Sequence, residues 1–322
     1  MLKKRLTNTP VIYTIFEVHH GERAWEKMFA DFSQIRNITI LGVGLIGGSL
    51  GLALKAKGFR GEVTGLGRRM QTLDIALERG AVDNATTDFH AGVGDADLIV
   101  VGTPVDLIPE MVQRIAEIRT SDPRPLIITD VGSIKGQIVE EIENLLTARG
   151  LHFVGSHPMA GSEKTSVASA RPDLFDGAKC IVTPTDNTDP QALKLVTSLW
   201  QSVDMQVCHL SPTEHDMLIA GASHLPHLIA SILTNTVGEI GNDTVKALDF
   251  AATGFRDTTR IAAGSPQLWR AIFMQNAHSL LPMIDSTIQN LAAFKTLLEN
   301  RDDAEIERLL AHAKILRDTL EE

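Results

Sequence analysis

Ile38-Thr39-Ile40-Leu41-Gly42-Val43-Gly44-Leu45-Ile46-Gly47-Gly48-Ser49 decides how the rest of this chain is read. Four residues of buried-strand character run into Gly42-x-Gly44-x-x-Gly47. A helical pattern of Leu50, Leu52, Ala53 and Leu54 follows at once. A strand, a tight turn and a helix N-terminus need that order. Gly42 permits the turn, Gly44 lets a pyrophosphate approach the backbone, and Gly47 lets the helix lie close to the strand. Free N–H groups at the helix start, on Leu45 and Ile46, and the positive end of the helix dipole then hold an anion. Glycines also cluster in ordinary turns. The flanks here, and the motif's place at the opening of a domain, favour dinucleotide binding.

Outward from this stretch, the composition is that of an ordinary soluble protein. The 322 residues suffice for about two domains. A hydrophobic fraction of 43% fills two cores, and the charged fraction is 22%. A net charge of -10 argues against nonspecific nucleic-acid binding, so an anionic substrate needs a local basic cluster. Cys180 and Cys208 form neither a metal spacing nor a disulfide framework, and read as free thiols in a reducing, cytoplasmic compartment. No apolar run is long enough to span a bilayer, and no cleavage site follows Val11–Val18. Residues 1–35 read as an N-terminal extension with poor order over 1–27, residues 36–208 as the dinucleotide-binding domain, and residues 209–322 as a helical domain.

Val63–Gly67 is predicted as the second strand. An NAD enzyme carries an acidic residue at its end to bind the ribose 2′-hydroxyl, whereas this chain has Arg68 and Arg69. Two arginines attract a 2′-phosphate, so NADP is preferred, with NAD possible; the bland alternative is a solvated basic turn. Asp97–Pro104 is a buried strand whose end, Thr103-Pro104, lies where parallel sheets bind ligands. Further strands are predicted at Pro125–Asp130, Leu151–Val154, Cys180–Thr183 and Met205–Val207, alternating with helices. The fold class is therefore α/β: a modified Rossmann, doubly wound, mainly parallel sheet. From Ser211 the pattern is helical throughout, with predicted helices at His215–Thr236, Asp243–Gly254, Leu268–Leu297 and Asp303–Glu321 and a kink at Pro282. Leu280, Ile284, Ile288 and Leu291 form an apolar face that suits either a bundle core or a homodimer interface.

Four stretches place polar residues unexpectedly. Ser133 and Lys135 follow a strand. His157 follows the next strand, in a loop bounded by glycine and proline. Ser223-His224-Leu225-Pro226-His227 interrupts an apolar helix, and Gly254-Phe255-Arg256-Asp257-Thr258-Thr259-Arg260 breaks another. Each has a plain structural reading: a hydrogen-bonded histidine, or an exposed i,i+4 arginine pair. His224 and His227 lack the companions of a metal site, so no metal is expected. Ser133 and His157, however, sit where the sheet's ligand crevice must lie.

Together with Gly42–Ser49, Asp130–Lys135, Gly155–Glu163, Ser223–His227 and Gly254–Ala262, the chain from about residue 36 onward resembles the prephenate/arogenate dehydrogenases of tyrosine biosynthesis. Each motif alone is weak, and five in order are specific. The resemblance implies a Rossmann domain followed by a helical dimerisation domain, with neither a fused chorismate mutase nor a regulatory domain. Oxidation of prephenate takes hydride from C4 to the nicotinamide, draws the C4 hydroxyl proton toward a base and expels carbon dioxide from C1. A neutral imidazole is suited to that proton near pH 7. By resemblance His157 is the base or acceptor, Ser133 orients the hydroxyl and the nicotinamide, and Arg260 pairs with the ring carboxylate. His227 and Asp216 match a supporting pair lining the pocket, and Arg256 and Glu163 match a charged gate, formed in part across the homodimer.

Three alternatives stand beside this reading. Arogenate dehydrogenase or a dual-specificity cyclohexadienyl dehydrogenase would accept an amine in place of the side-chain ketone; Arg256, a nearby cation, leans toward prephenate. A β-hydroxyacid or imine reductase would carry a catalytic lysine in the second domain, and no such motif is present. A non-catalytic NADP sensor would keep the glycine turn without needing His157, Ser133 and Arg260 together.

Overall fold

The computed structural model describes residues 31–119, 122, 124–147, 151–161 and 166–320. The disorder expected over residues 1–27 and the gate residue Glu163 lie outside these. Residues 31–35, assigned by sequence to the extension, belong to the folded domain: Ile35 is buried in the core, and Phe32 stacks on Phe59.

The chain begins β1 (Asn37–Leu41), α1 (Leu45–Ala56), β2 (Glu62–Leu66), α2 (Met70–Glu78), β3 (Asn84–Thr86), α3 (Phe89–Gly94), β4 (Leu98–Val101), α4 (Ile108–Arg119), β5 (Ile127–Asp130), α5 (Gly136–Thr147) and β6 (His152–Pro158). β7 (Lys179–Thr183), α6 (Pro190–Gln201) and β8 (Gln206–His209) complete a sheet of eight strands among the described residues, in the order β3-β2-β1-β4-β5-β6-β7-β8. The first six are parallel in the doubly wound order. β3, Asn84-Ala85-Thr86, is too short and polar to show a strand pattern.

Parallel crossovers do not continue throughout. β6 pairs with β5 in parallel over His152–Val154, then with β7 antiparallel over Gly155–Pro158. The described residues between β6 and β7 hold a single 3-10 turn, Val167–Ser169, in place of the helix that a parallel return normally uses. β6 also extends through Pro158, so His157 lies on a strand opposite Ile181 and not in the loop that its glycine and proline neighbours suggested. β1, β4 and β5 are almost wholly buried, and their Ile and Val side chains divide between two apolar cores, one on each face of the sheet.

The rest is helical: α7 (Pro212–Ile219), a π turn (Ala220–His224), α8 (Leu225–Gly238), α9 (Thr253–Thr259), α10 (Pro266–Gln275), α11 (Ala277–Asn300) and α12 (Asp303–Asp318). Three sequence expectations change here. Asp243–Gly254 is not a helix, because Asn242 accepts hydrogen bonds from Thr244 and Val245 N–H and Gly241 bridges to Lys246, folding the chain into a turn. The Gly254–Arg260 stretch breaks no helix but forms α9. Leu268–Leu297 divides at Asn276, and α11 then runs through Pro282.

Pro212–Gly238 is also, by length and a mean hydropathy of 1.4, as apolar as a membrane span, which the sequence reading did not anticipate. It nevertheless holds His215, Asp216, His224 and His227 buried against the protein.

Candidate active site

The glycine turn is built as the sequence requires. Gly42 has φ of +96°, and a Cβ on it would lie 2.7 Å from the Gly102 carbonyl carbon, so no side chain fits. A Cβ on Gly47 would meet the Gly42 oxygen at 2.7 Å and Ile40 Cγ2 at 2.8 Å, which is why α1 lies so close to β1. Gly44 is the N-cap of α1, which follows the carboxyl end of β1, and the N–H groups of Leu45, Ile46 and Gly47 open the helix without an i−4 partner within it. Across the turn, Thr103 Oγ1 is buried without a hydrogen-bond partner, and Pro104 opens the next turn. A cradle that excludes side chains, a helix N-terminus and an orphaned hydroxyl fit a dinucleotide. Arg68 and Arg69 stand exposed just past β2, and Arg69 caps α2.

The second half of the site comes from β6 and α7. His157 Nδ1 is 2.9 Å from His215 Nε2, and His215 Nδ1 is 2.8 Å from Asp216 Oδ1. Asp216 Oδ1 also accepts the Lys135 N–H, and its Oδ2 accepts the Gly136 N–H, both at 2.8 Å, so the carboxylate sits on the N-terminus of α5. This arrangement assigns the tautomers. The carboxylate only accepts, so His215 donates from Nδ1 and accepts at Nε2. His157 therefore donates from Nδ1, and its Nε2 keeps a free lone pair. A Ser211–Glu214 capping box fixes where α7 starts and thereby aims His215 and Asp216.

Electrostatics agree with this proton arrangement. Burial, then His215, Lys135 and His224, depress the His157 pKa well below the ordinary imidazole range. Burial also lowers His215, against the pull of Asp216. Burial opposes the Asp216 charge, but the hydrogen bonds from His215, Lys135 and Gly136 outweigh it and hold the carboxyl low. His157 is thus a neutral imidazole at pH 7.

Ser133 lies half-buried in the loop between β5 and α5, beside the Lys135 and Gly136 N–H groups that hold Asp216. Asp216 and His227 are not joined as a pair. Asp216 is fully buried and engaged as above, whereas His227 stacks on Trp269, centroids 3.5 Å apart, with Nδ1 unpartnered. Arg260 is exposed on the turn Arg260–Ala263, which packs on α8, the helix carrying His227. Arg256 is exposed on α9 and donates to the Ala251 carbonyl at 3.2 Å. Neither arginine touches His157. The sequence reading missed His215 and Trp269, and gave Lys135 and His224 no role. The Glu214-His215-Asp216 run behind a capping serine and Pro212 was the available signal for His215.

A Rossmann sheet with a glycine cradle that fits a dinucleotide, followed by a helical domain, is the architecture of a nicotinamide-dependent dehydrogenase. Comparison with known proteins makes this specific. Residues 50–209 match the family description "Prephenate dehydrogenase, nucleotide-binding domain" and residues 211–312 match "Prephenate dehydrogenase, dimerization domain". The prephenate dehydrogenase of Bacillus subtilis is 36% identical over 88% of this chain and 76% of its own. The cyclohexadienyl dehydrogenase of Zymomonas mobilis is 32% identical over 87% of this chain and 93% of its own. The crystal structure of prephenate dehydrogenase from A. aeolicus, in complex with hydroxyphenyl propionate and NAD+, superposes with a TM-score of 0.83 at 33% identity, covering 89% of this chain and 98% of that one. The chain belongs to the prephenate dehydrogenase family, and is an oxidoreductase.

Proposed function

We propose that the protein catalyses the oxidative decarboxylation of prephenate to 4-hydroxyphenylpyruvate, with NADP preferred over NAD. The observation that carries this reading is the His157–His215–Asp216 chain, on the same sheet as the glycine cradle, which supplies a base of fixed tautomer. The nicotinamide, when bound, accepts the hydride from C4. His157 Nε2 accepts the hydrogen bond of the C4 hydroxyl and draws off the positive charge that grows on that oxygen as hydride leaves. Departure of the C1 carboxylate as carbon dioxide gives the ring its electrons, and the proton returns to the phenol oxygen. No net proton is consumed, so the base needs the right position and protonation state more than strength. Ser133 orients the hydroxyl, and Arg260 takes the ring carboxylate, with His227, Arg256 and Glu163 lining or gating the pocket.

Arg68 and Arg69 support the NADP preference. Both are exposed past β2, and among the described residues no hydrogen bond or ion pair occupies either side chain. The division at residues 208/209, the cytoplasmic location and a homodimer built by the helical half belong to the same reading. Purified protein assayed with prephenate and arogenate, each with NAD and NADP, tests it by the absorbance of reduced nicotinamide. Turnover of prephenate with NADP at the highest kcat/KM is expected. Turnover of arogenate alone contradicts the substrate, and turnover of neither contradicts the reading.

A further inference from the structure

Lys135 is fully buried, and its ammonium pairs with the equally buried Asp130. A buried ion pair is no general source of stability, since apolar residues of like volume often do as well. What sets this one apart is where its hydrogen bonds lead. Asp130 Oδ1 accepts the N–H of Ser156, the neighbour of His157, at 3.1 Å, and Oδ2 accepts the Gly132 N–H at 2.8 Å. Ser156 Oγ in turn donates to the Asp130 carbonyl at 2.5 Å and accepts from Trp200 Nε1 at 2.9 Å, which locks that point of β6. From its other end, the Lys135 N–H donates to Asp216, which holds His215, which holds His157. The links close on themselves: Lys135 to Asp130 to Ser156–His157, then to His215, Asp216 and back to Lys135. We infer that Lys135 is a positioning residue for the base, acting on His157 through both its main-chain N–H and its buried ammonium group.

This inference rests on the reading of His157 as the base. Each half of Lys135 has its own task. The N–H holds the carboxylate that sets the histidine tautomers. The ammonium fixes the loop carrying Ser133 against β6, and its positive charge opposes protonation of the two nearest imidazoles. The titratable groups facing the His157 imidazole are His215 from α7, His224 from the π turn and Lys135 from the loop before α5, while the Cys180 thiol of β7 meets the His157 main chain. Asp130 and Asp216 stand one step behind. Lys135 outweighs Asp130 at His215, so neutralising the whole pair moves the imidazoles the same way as neutralising Lys135 alone. Without the ammonium, His157 takes up its proton at higher pH, and the acid limb of activity moves up.

The test is Lys135→Gln, with Asp130→Asn/Lys135→Gln as the second variant because it leaves no unpaired buried charge. The titration of the His157 imidazole is followed by NMR on the full chain without substrate, beside the pH dependence of kcat/KM. The titration midpoint is expected to rise in both variants. On the acid limb kcat/KM falls by roughly threefold or more relative to its plateau. Folded variants whose His157 titrates as in the parent overturn the inference. So does loss of the fold in both variants, which assigns the pair to stability. A parent that turns over neither prephenate nor arogenate defeats the reading of the reaction, while the substrate-free titration still tests Lys135.

Discussion

At the scale of single residues, the proposed chemistry turns on which nitrogen of His157 carries its proton. Asp216 decides this from two bonds away, because a carboxylate in that position can only accept. Asp216→Asn turns one of the two accepting oxygens into a donor that must meet the Lys135 or the Gly136 N–H, so the acceptor that fixes the His215 tautomer, and through it that of His157, loses its charge and its hold on α5. A fall in kcat on the order of 10²-fold or more is expected, with a smaller change in KM; kinetics near parental level contradict the tautomer assignment. The sequence showed part of this. His157 was legible because five motifs in order carry it. His215 was not, since its contact with His157 crosses 58 positions of chain and no local pattern encodes it. Asp216 is named by the resemblance as lining the pocket with His227, and its hydrogen bond to the adjacent His215 is visible only in the structure.

At the scale of elements, local chemistry was readable and tertiary demand was not. The strand–turn–helix at Gly42–Gly47 depends on backbone sterics alone, so its glycines announce it. The break at Asn276 has another origin: its side-chain amide donates to the Asp216 carbonyl and approaches His224 Nδ1, partners remote in sequence. The π turn Ala220–His224 is of the same kind. Such single-turn insertions gather at functional sites because one extra residue rotates everything after it. Here it sets the phase between His215 and Asp216 on one side and His224 and His227 on the other. Deleting Ala222, an exposed residue of that turn, should restore α-helical phase and turn His227 away from Trp269. Retained helicity by circular dichroism is expected, with kcat/KM reduced on the order of 10²-fold. Parental activity in the deletion would show that the phase is unimportant.

At the scale of the whole molecule, two properties follow from where apolar and titratable groups lie. Ile288 and Leu291 on α11 are 58% and 64% exposed, while Leu280 on the same helix is buried. Of the face that the sequence offers as bundle core or homodimer interface, Leu280 is covered within one chain and the Ile288–Leu291 end is not, nor are Ile232, Leu298 and Leu310. Ile288→Asp/Leu291→Asp is expected to halve the mass in sedimentation; a parental mass in that variant, or a monomeric parent, contradicts a homodimer through this helix. The second property is acid sensitivity. His157, His215, His224 and His227 all bind protons less readily in the fold than the ordinary value of 6.5, and burial holds His224 at about 4. Below about pH 6.5 the unfolded chain takes up more protons than the folded one, so stability falls as pH falls. The unfolding temperature should drop steadily from pH 7 to pH 5, and a flat profile contradicts the buried neutral histidines. The role of His157 is measured most directly by the turnover of prephenate by His157→Asn, with unfolding temperature recorded alongside. A fall in kcat of about 10²–10⁴-fold at an unchanged unfolding temperature is expected; parental kcat would remove His157 from the chemistry.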